Sequence, residues 1–187
     1  ALFTEQEERE RLAELNLIAG ARAKNSTAYT SALTYLLAGA ALLAEDGWER
    51  QHALAFSLEF HRAECEFLTG ALAAAEERLT ALSTRAATTV EQATVSCLRI
   101  DVHATLGQSG RSIAVGLDYL RRVGIDWSPH PTDEDVRGEY ERIWAQLGGR
   151  TVEELIELPL MTDPVALATL DVLTRVFPPA RLTDGNL

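Results

Sequence analysis

Apolar residues recur at three- and four-residue spacings along most of the chain, and no run of alternating β-branched residues marks a strand. The densest pattern lies in residues 48–82. There Leu54, Leu58, Cys65 and Leu68 fall along one line of a helix, and Phe56, Phe60, Ala63 and Phe67 along another. A helix with one neighbour needs one apolar stripe. Two stripes predict a helix packed on two sides, as in a stack of helices. A tight turn at Thr69-Gly70 ends it, and Leu72, Ala75, Leu79 and Leu82 line the helix that returns.

The remaining helices follow from caps and stripes. Thr4-Glu5-Gln6-Glu7 reads as a capping box before Leu12, Leu15, Leu17, Ile18 and Ala21. Asn25 or Ser26 is expected to cap a helix to about Ala44, with Leu33, Leu36, Gly39 and Leu43 inward. Asp46-Gly47-Trp48-Glu49 resembles a further capping box, opening the central helix. Thr88-Thr89-Val90-Glu91 caps a second two-striped helix, with Ala93, Cys97, Ile100 and Ala104 on one side and Val95, Leu98 and Val102 on the other. Leu106-Gly107 ends it, and Ser109 can cap the next helix, closed by Gly124.

Asp126-Trp127-Ser128-Pro129-His130-Pro131 breaks the pattern, because the residue before each proline is pushed out of the α region. Thr132 restarts a helix striped by Val136, Tyr140, Ile143, Trp144 and Leu147, where Trp144 is expected to plug the core. Gly148-Gly149 stops it. Thr151-Val152-Glu153-Glu154 caps a short helix, Asp163-Pro164 starts the last, and Pro178-Pro179 is expected to end that one.

A repeat is visible. Gly107 follows Gly70 by 37 residues, Ser112 matches Ala75 at the same step, and Ala32, 43 residues before Ala75, gives a weaker copy. Two-helix units of this length build solenoids. Glycine in the turn with a small residue five positions later is tetratricopeptide-like, although Glu66 stands where such repeats usually carry an aromatic.

Composition narrows the function classes. The chain has 187 residues, 47% hydrophobic and 24% charged, enough for one large helical domain. Its net charge of -11 provides no basic footprint for phosphate backbones, so nucleic acid is not an expected partner. Cys65 and Cys97 lie inside apolar patterns and are expected to be reduced core residues. The longest near-apolar run, residues 32–44, is short of a membrane span and is interrupted by Thr34. The charged, acidic start does not read as a signal peptide. Cytoplasmic localisation is expected, with no membrane insertion.

Several separated motifs carry a resemblance. They are Asn25-Ser-Thr-Ala-Tyr-Thr-Ser-Ala-Leu-Thr-Tyr-Leu36, Ala63-Glu-Cys-Glu-Phe-Leu-Thr-Gly70, Leu120-Arg-Arg-Val-Gly-Ile-Asp126 with Pro129 and Pro131, Leu147-Gly-Gly-Arg-Thr-Val-Glu-Glu-Leu155, Leu158-Pro-Leu-Met-Thr-Asp-Pro164 and Phe177-Pro-Pro-Ala180. In this order they resemble the tetratricopeptide-like helical region that follows the AAA-type ATPase module of large bacterial signalling proteins. Those proteins fuse serine/threonine kinase, ATPase and sensor histidine kinase units in one chain. The resemblance covers nearly the whole sequence and implies an all-helical scaffold of a multidomain, ATP-dependent parent. The chain is accordingly expected to be a piece of a larger protein.

No catalytic constellation accompanies that scaffold. The sequence has no Walker phosphate loop, no Gly-rich kinase loop and no catalytic His-Arg-Asp. Gly107-Gln-Ser-Gly110 reads as a helix-to-helix turn. His61 and Cys65 share one helix and Cys97 and His103 another, but their spacing does not converge four zinc ligands. Pairs such as Glu76-Glu77 and Glu153-Glu154 suit caps and solvated faces. The candidate site is instead the polar third face of the two-striped helices. Glu59, Arg62 and Glu66 line it in one copy, and Ser96, Arg99 and His103 in the next. The competing reading is internal pairing of Arg62 with Glu59 or Glu66.

The expected fold is all-α: a tetratricopeptide-like right-handed solenoid of hairpins, single-domain over residues 1–187. Stacked pairs would occupy 1–124 and irregular C-terminal helices 125–187. The expected role is non-catalytic, a scaffold or protein-interaction segment that relays signals between modules of the same chain or holds a protein or peptide. No cofactor or metal is expected, and the pattern sets no oligomeric state. The alternative is an effector-sensing domain that binds a small molecule between helices.

Overall fold

Three-residue links and left-handed turn residues organise the helices into hairpins. The computed structural model describes residues 5–43, 46–151, 153–183 and 186, and these form helices and connections without a strand. They divide into two compact units, Ala1–Ala87 and Thr88–Leu187.

The first unit holds α1 (Glu5–Asn25), α2 (Tyr29–Leu42), α3 (Gly47–Arg50), α4 (His52–Leu68) and α5 (Leu72–Arg85). α1 pairs with α2 and α4 with α5, while α4 also packs on α2 and α1. The two predicted stripes of α4 therefore have their two neighbours. Ala13, Ala32, Leu36, Leu54, Leu58 and Cys65 form the core between the hairpins. The second unit holds α6 (Thr89–Thr105), α7 (Ser109–Arg122), α8 (Asp133–Leu147), a 3-10 turn (Glu153–Glu157) and α9 (Pro164–Thr183). Here α9 packs against both α6 and α7. Its Ala168, Val172, Val176 and Ala180 join Ile100, Ile113, Leu117, Tyr119 and Leu120 in the core.

The hairpin turns share one construction. After α4, Gly70 N–H donates to Phe67 O at 3.0 Å and Ala71 N–H to Glu66 O at 2.8 Å. After α6, Gly107 N–H donates to Ala104 O at 3.0 Å and Gln108 N–H to His103 O at 2.8 Å. This pair of bonds satisfies the last carbonyls of a helix and needs a left-handed residue between them. Gly70 (φ 81°) and Gly107 (φ 70°) supply it without a Cβ clash. After α1 the same two bonds form around Thr27, at φ 60°. The weaker copy in the sequence thus has the same turn, made with an unfavourable residue.

Counted from these turns, the three copies keep one register. Five residues on, Ala32, Ala75 and Ser112 are fully buried. Nine residues on come Leu36, Leu79 and Gly116, and twelve on Gly39, Leu82 and Tyr119, all buried. Ser112 fits an alanine position because its Oγ donates to Ile100 O at 3.1 Å. α4 and α6 each span 17 residues, and α2, α5 and α7 each span 14.

Several local expectations differ from the structure. Thr4, Ala44 and Val152 lie outside the described residues. Asn25 ends α1 instead of capping α2, whose N-cap is Ala28 without a side-chain bond. Asp46 precedes only the four-residue α3 and makes no capping side-chain bond. The backbone then breaks at Gln51 (φ -130°, ψ 46°), so the central helix starts at His52. Ser109 is the first residue of α7, not its cap. The caps at Thr88, Thr132 and Asp163 form as expected: Glu91 N–H donates to Thr88 Oγ1 at 3.1 Å, Asp135 N–H to Thr132 Oγ1 at 3.2 Å, and Ala166 N–H to Asp163 Oδ2 at 3.1 Å.

Pro178-Pro179 does not end α9, which runs on to Thr183. Pro179 and Ala180 are buried there, and that packing holds the helix through the missing N–H groups. Trp144 is no core plug: it is 51% exposed, and among the described residues α8 packs against no other helix.

Candidate functional site

Glu59, Arg62 and Glu66 sit at successive turns of α4, so their side chains share one face. The turn at Gly70 folds α5 back and brings Arg78 level with them. Arg78 donates to Glu66 through two parallel bonds, Nε to Oε2 at 2.9 Å and Nη2 to Oε1 at 2.7 Å, and its Nη1 pairs with Glu59. Arg62 Nη1 donates to the other Glu59 oxygen at 2.5 Å. Two acids and two arginines thus form a charge-balanced, half-buried cluster between α4 and α5. Burial disfavours the charged Arg78, but the Glu66 bonds and the Glu59 and Glu66 charges outweigh it and hold its pKa above the ordinary value. Arg62 Nε is buried in the cluster without a hydrogen-bond partner.

The internal pairing of Arg62 with Glu59 is present, while Arg78 was not singled out in the sequence. Spacing within one helix identifies pairs three or four residues apart. Arg78 arrives across the hairpin, and the only sequence signal for it is the turn at Gly70. Beside the cluster, Trp48, Glu59, Ala74, Glu77, Arg78, Ala81, Leu82 and Arg85 line a cleft of about 430 Å³. Arg85 lies over the Trp48 ring, 4.6 Å from its centroid, in cation–π geometry.

The second triplet belongs to α6. Ser96 and Arg99 are half-buried, and His103 is buried. His103 Nδ1 lies 3.3 Å from Gln108 Oε1, which also accepts from Arg111 Nη1 at 3.2 Å. His103 therefore faces the turn after its own helix.

A further polar cluster links α1 to α4. Lys24 Nζ lies 2.5 Å from Glu64 Oε2 and 3.0 Å from His61 Nδ1, and His61 Nδ1 lies 2.5 Å from the same Glu64 oxygen. Burial pushes the Glu64 carboxyl up, but the His61 and Lys24 bonds overcome it and leave the pKa below the usual 4.5. His61 is thus turned toward a lysine and a glutamate while Cys65 is buried in the core. Among the described residues no three His, Cys, Asp or Glu side chains come together as metal ligands. Burial raises both thiols, Cys97 to about 11. These groups are poor nucleophiles at neutral pH.

In the second unit Trp127, Pro131, Val136 and Ile143 form the apolar part of a cleft of about 480 Å³, rimmed by Asp126, Asp135, Glu139 and Arg142. No helix of the described residues is long and apolar enough to cross a membrane.

Comparison with known proteins gives the chain a distant relative. It is similar to the hybrid signal transduction histidine kinase G of Dictyostelium discoideum, 23% identical over a 164-residue alignment that takes in 83% of this chain. The chain spans about 5% of that protein's length. No protein-family profile matches it, and no solved structure matches it. The class supported is thus an all-α segment with distant similarity to a signal transduction histidine kinase.

Proposed function

We propose that the 187 residues form one helical-repeat domain, a tetratricopeptide-like solenoid, acting as a non-catalytic scaffold in a multidomain signalling protein. The parent would be an ATP-dependent kinase or ATPase of the cytoplasm, in which this segment organises or relays signals between modules. Its partner is a protein or peptide, including other modules of the same chain. Glu59, Arg62 and Glu66 in one unit and Ser96 and Arg99 in the other are the proposed partner-facing residues, and His103, the third of that set, is buried at the turn after α6. The observation that carries this reading is the similarity to a signalling histidine kinase along 83% of the chain. The shared register of the three hairpins agrees with it, because repeats present side chains at regular steps to a partner.

Calorimetric titration of this chain with the kinase and ATPase modules of its parent tests the reading. Saturable binding to one module is expected, weakened about tenfold, near 1.4 kcal/mol, by Arg62→Ala with Arg99→Ala. Binding to no module, or affinity unchanged in the double variant, counts against it. ATP turnover by the chain alone would overturn the non-catalytic assignment.

A second reading rests on the 480 Å³ cleft, whose Trp127 and acidic rim suit a small cationic effector. A rise in Tm with such a ligand, absent in Trp127→Ala, would favour effector sensing over scaffolding.

A further inference from the structure

α1 carries two apolar stripes, and one of them is uncovered. Ala13, Leu17 and Gly20 face the core shared with α2. Ala13 and Gly20 are buried there, Leu17 packs on the same core, and a Cβ at Gly20 would lie 2.7 Å from Leu36 Cγ. Leu12, Leu15 and Ile18 form the second stripe and are 49–52% exposed. A groove of about 290 Å³, lined by Glu7, Glu8, Arg11, Leu12 and Leu15, runs beside its N-terminal end.

The register of the hairpins identifies the occupant. Leu15, Leu58 and Val95 each stand twelve residues before a left-handed turn residue, Thr27, Gly70 and Gly107 in order. Leu58 and Val95 are buried, at 0% and 1% exposure, while Leu15 is 52% exposed. In α4 this position packs on the hairpin that comes before it. Leu58 joins Ala32 and Leu36 of α2 in one core, and a Cβ at Gly39 would meet its Cδ2 at 2.8 Å. Gly39 itself stands twelve residues after Thr27. The leucine of one hairpin is thus seated on a small residue in the second helix of the preceding one. Among the described residues α1 packs on α2 and α4 only, so its own leucine lacks that seat. A repeat that ends a solenoid turns a polar face outward. The outward stripe of α1 is apolar, as in an interior repeat.

We propose that Leu12, Leu15 and Ile18 seat a further helical hairpin of the parent chain, N-terminal to α1, which packs on α1 as α2 packs on α4. The proposal rests on the solenoid reading given above. The occupant follows from an interface that this unit already contains once. Its second helix presents a small residue to Leu15, as Gly39 does to Leu58, with apolar residues one and two turns before it in the places of Leu36 and Ala32. Burial of the three half-exposed side chains drives the contact.

Thiol labelling under native conditions is the test, on this 187-residue chain and on the parent chain begun about 45 residues earlier, room for one more hairpin. Cys65 and Cys97 are buried and give a slow background. Leu15→Cys is expected to label fast in the 187-residue chain and at least about tenfold more slowly in the longer one, where the thiol reacts only when the hairpin opens. Ala73→Cys, on the exposed side of α5, labels equally in both. Leu15→Glu lowers the Tm of the longer chain by at least about 3 °C and that of the 187-residue chain by about 1 °C or less. Equal labelling of Leu15→Cys in the two chains, or equal Tm losses, overturns the proposal. So does labelling of the shorter chain that slows as its concentration rises, which would make the occupant a second copy. Added residues that bring no helical circular dichroism would sink the solenoid reading as well. Added helix with Leu15 still open would remove this proposal alone.

Discussion

Thr27 carries the clearest local conflict in the molecule. It occupies the left-handed position that Gly70 and Gly107 fill in the other hairpins, with φ 60° and a β-branched side chain. The left-handed region costs a non-glycine residue roughly 1–2 kcal/mol. Glycine there loses about 0.5–1 kcal/mol of that gain through its freer unfolded chain. Thr27→Gly should therefore stabilise the protein by about 0.5–1 kcal/mol. The Thr27 hydroxyl bond to Ser26 O is exposed and offsets little of this. Differential scanning calorimetry would read a Tm increase of about 2–4 °C per kcal/mol. A lower Tm would mean that the Thr27 side chain contributes more than its backbone costs. The turn itself was legible only where glycine marked it. At Thr27 no residue type announced the change of hand, which is why the helix start was expected at Asn25 or Ser26.

Among the helices, the close approach of α7 to α9 has the smallest tolerance. A Cβ added at Gly116 would lie 2.0 Å from Val176 Cγ2, a side chain in the same buried core cluster as Val172, Leu120 and Ile113. Overpacking of this kind costs roughly 1–3 kcal/mol, partly offset by the better helix propensity of alanine. Gly116→Ala is expected to destabilise by about 1–2 kcal/mol. Val176→Ala opens the space the new methyl needs, so the double variant should be at least about 1 kcal/mol more stable than the sum of the singles predicts. Urea unfolding of the four proteins measures this. Strict additivity would show that α9 shifts freely on α7. This contact explains why α9 ignores Pro178-Pro179: its small and branched residues are clamped onto a hairpin, and local backbone preference yields to that packing. The helices, their stripes and the repeat register were legible, because spacing and turn glycines record them. Arg78 in the polar cluster and the exposure of Trp144 were not. One depends on which helix folds back, and the other on α8 having no helix packed on its well-formed stripe among the described residues.

At the scale of the whole molecule, charge decides the response to acid. The chain carries -11 at neutral pH, and its isoelectric point is about 4.8. Among the described residues three carboxylates have folded pKa values below their ordinary ones. For Glu10 the Gln6 hydrogen bond is the largest cause, and for Asp135 the Thr132 backbone bond. For Glu64 burial is the largest single cause and pushes the pKa up, but the His61 and Lys24 bonds and charges together outweigh it. A depressed carboxylate stabilises the fold fully above its unfolded pKa, here 4.5 for the glutamates and 3.8 for Asp135, and loses that contribution as pH falls through the folded value. Stability should thus be level from neutral pH down to about 5 and fall steadily below about 4.5. Asp135 is exposed and contributes little through solvent screening, while Glu10 is half-buried and bonded to Gln6 and Gln51. Glu64, half-buried where it ties α4 to Lys24 of α1, should supply a large part of the acid limb. Glu64→Gln is expected to lower Tm at pH 7 and to flatten the acid limb, so that its curve converges with the parent curve at low pH. A variant curve parallel to the parent at every pH would show that Glu64 acts through packing alone and that the Lys24–His61–Glu64 cluster does not couple folding to protonation.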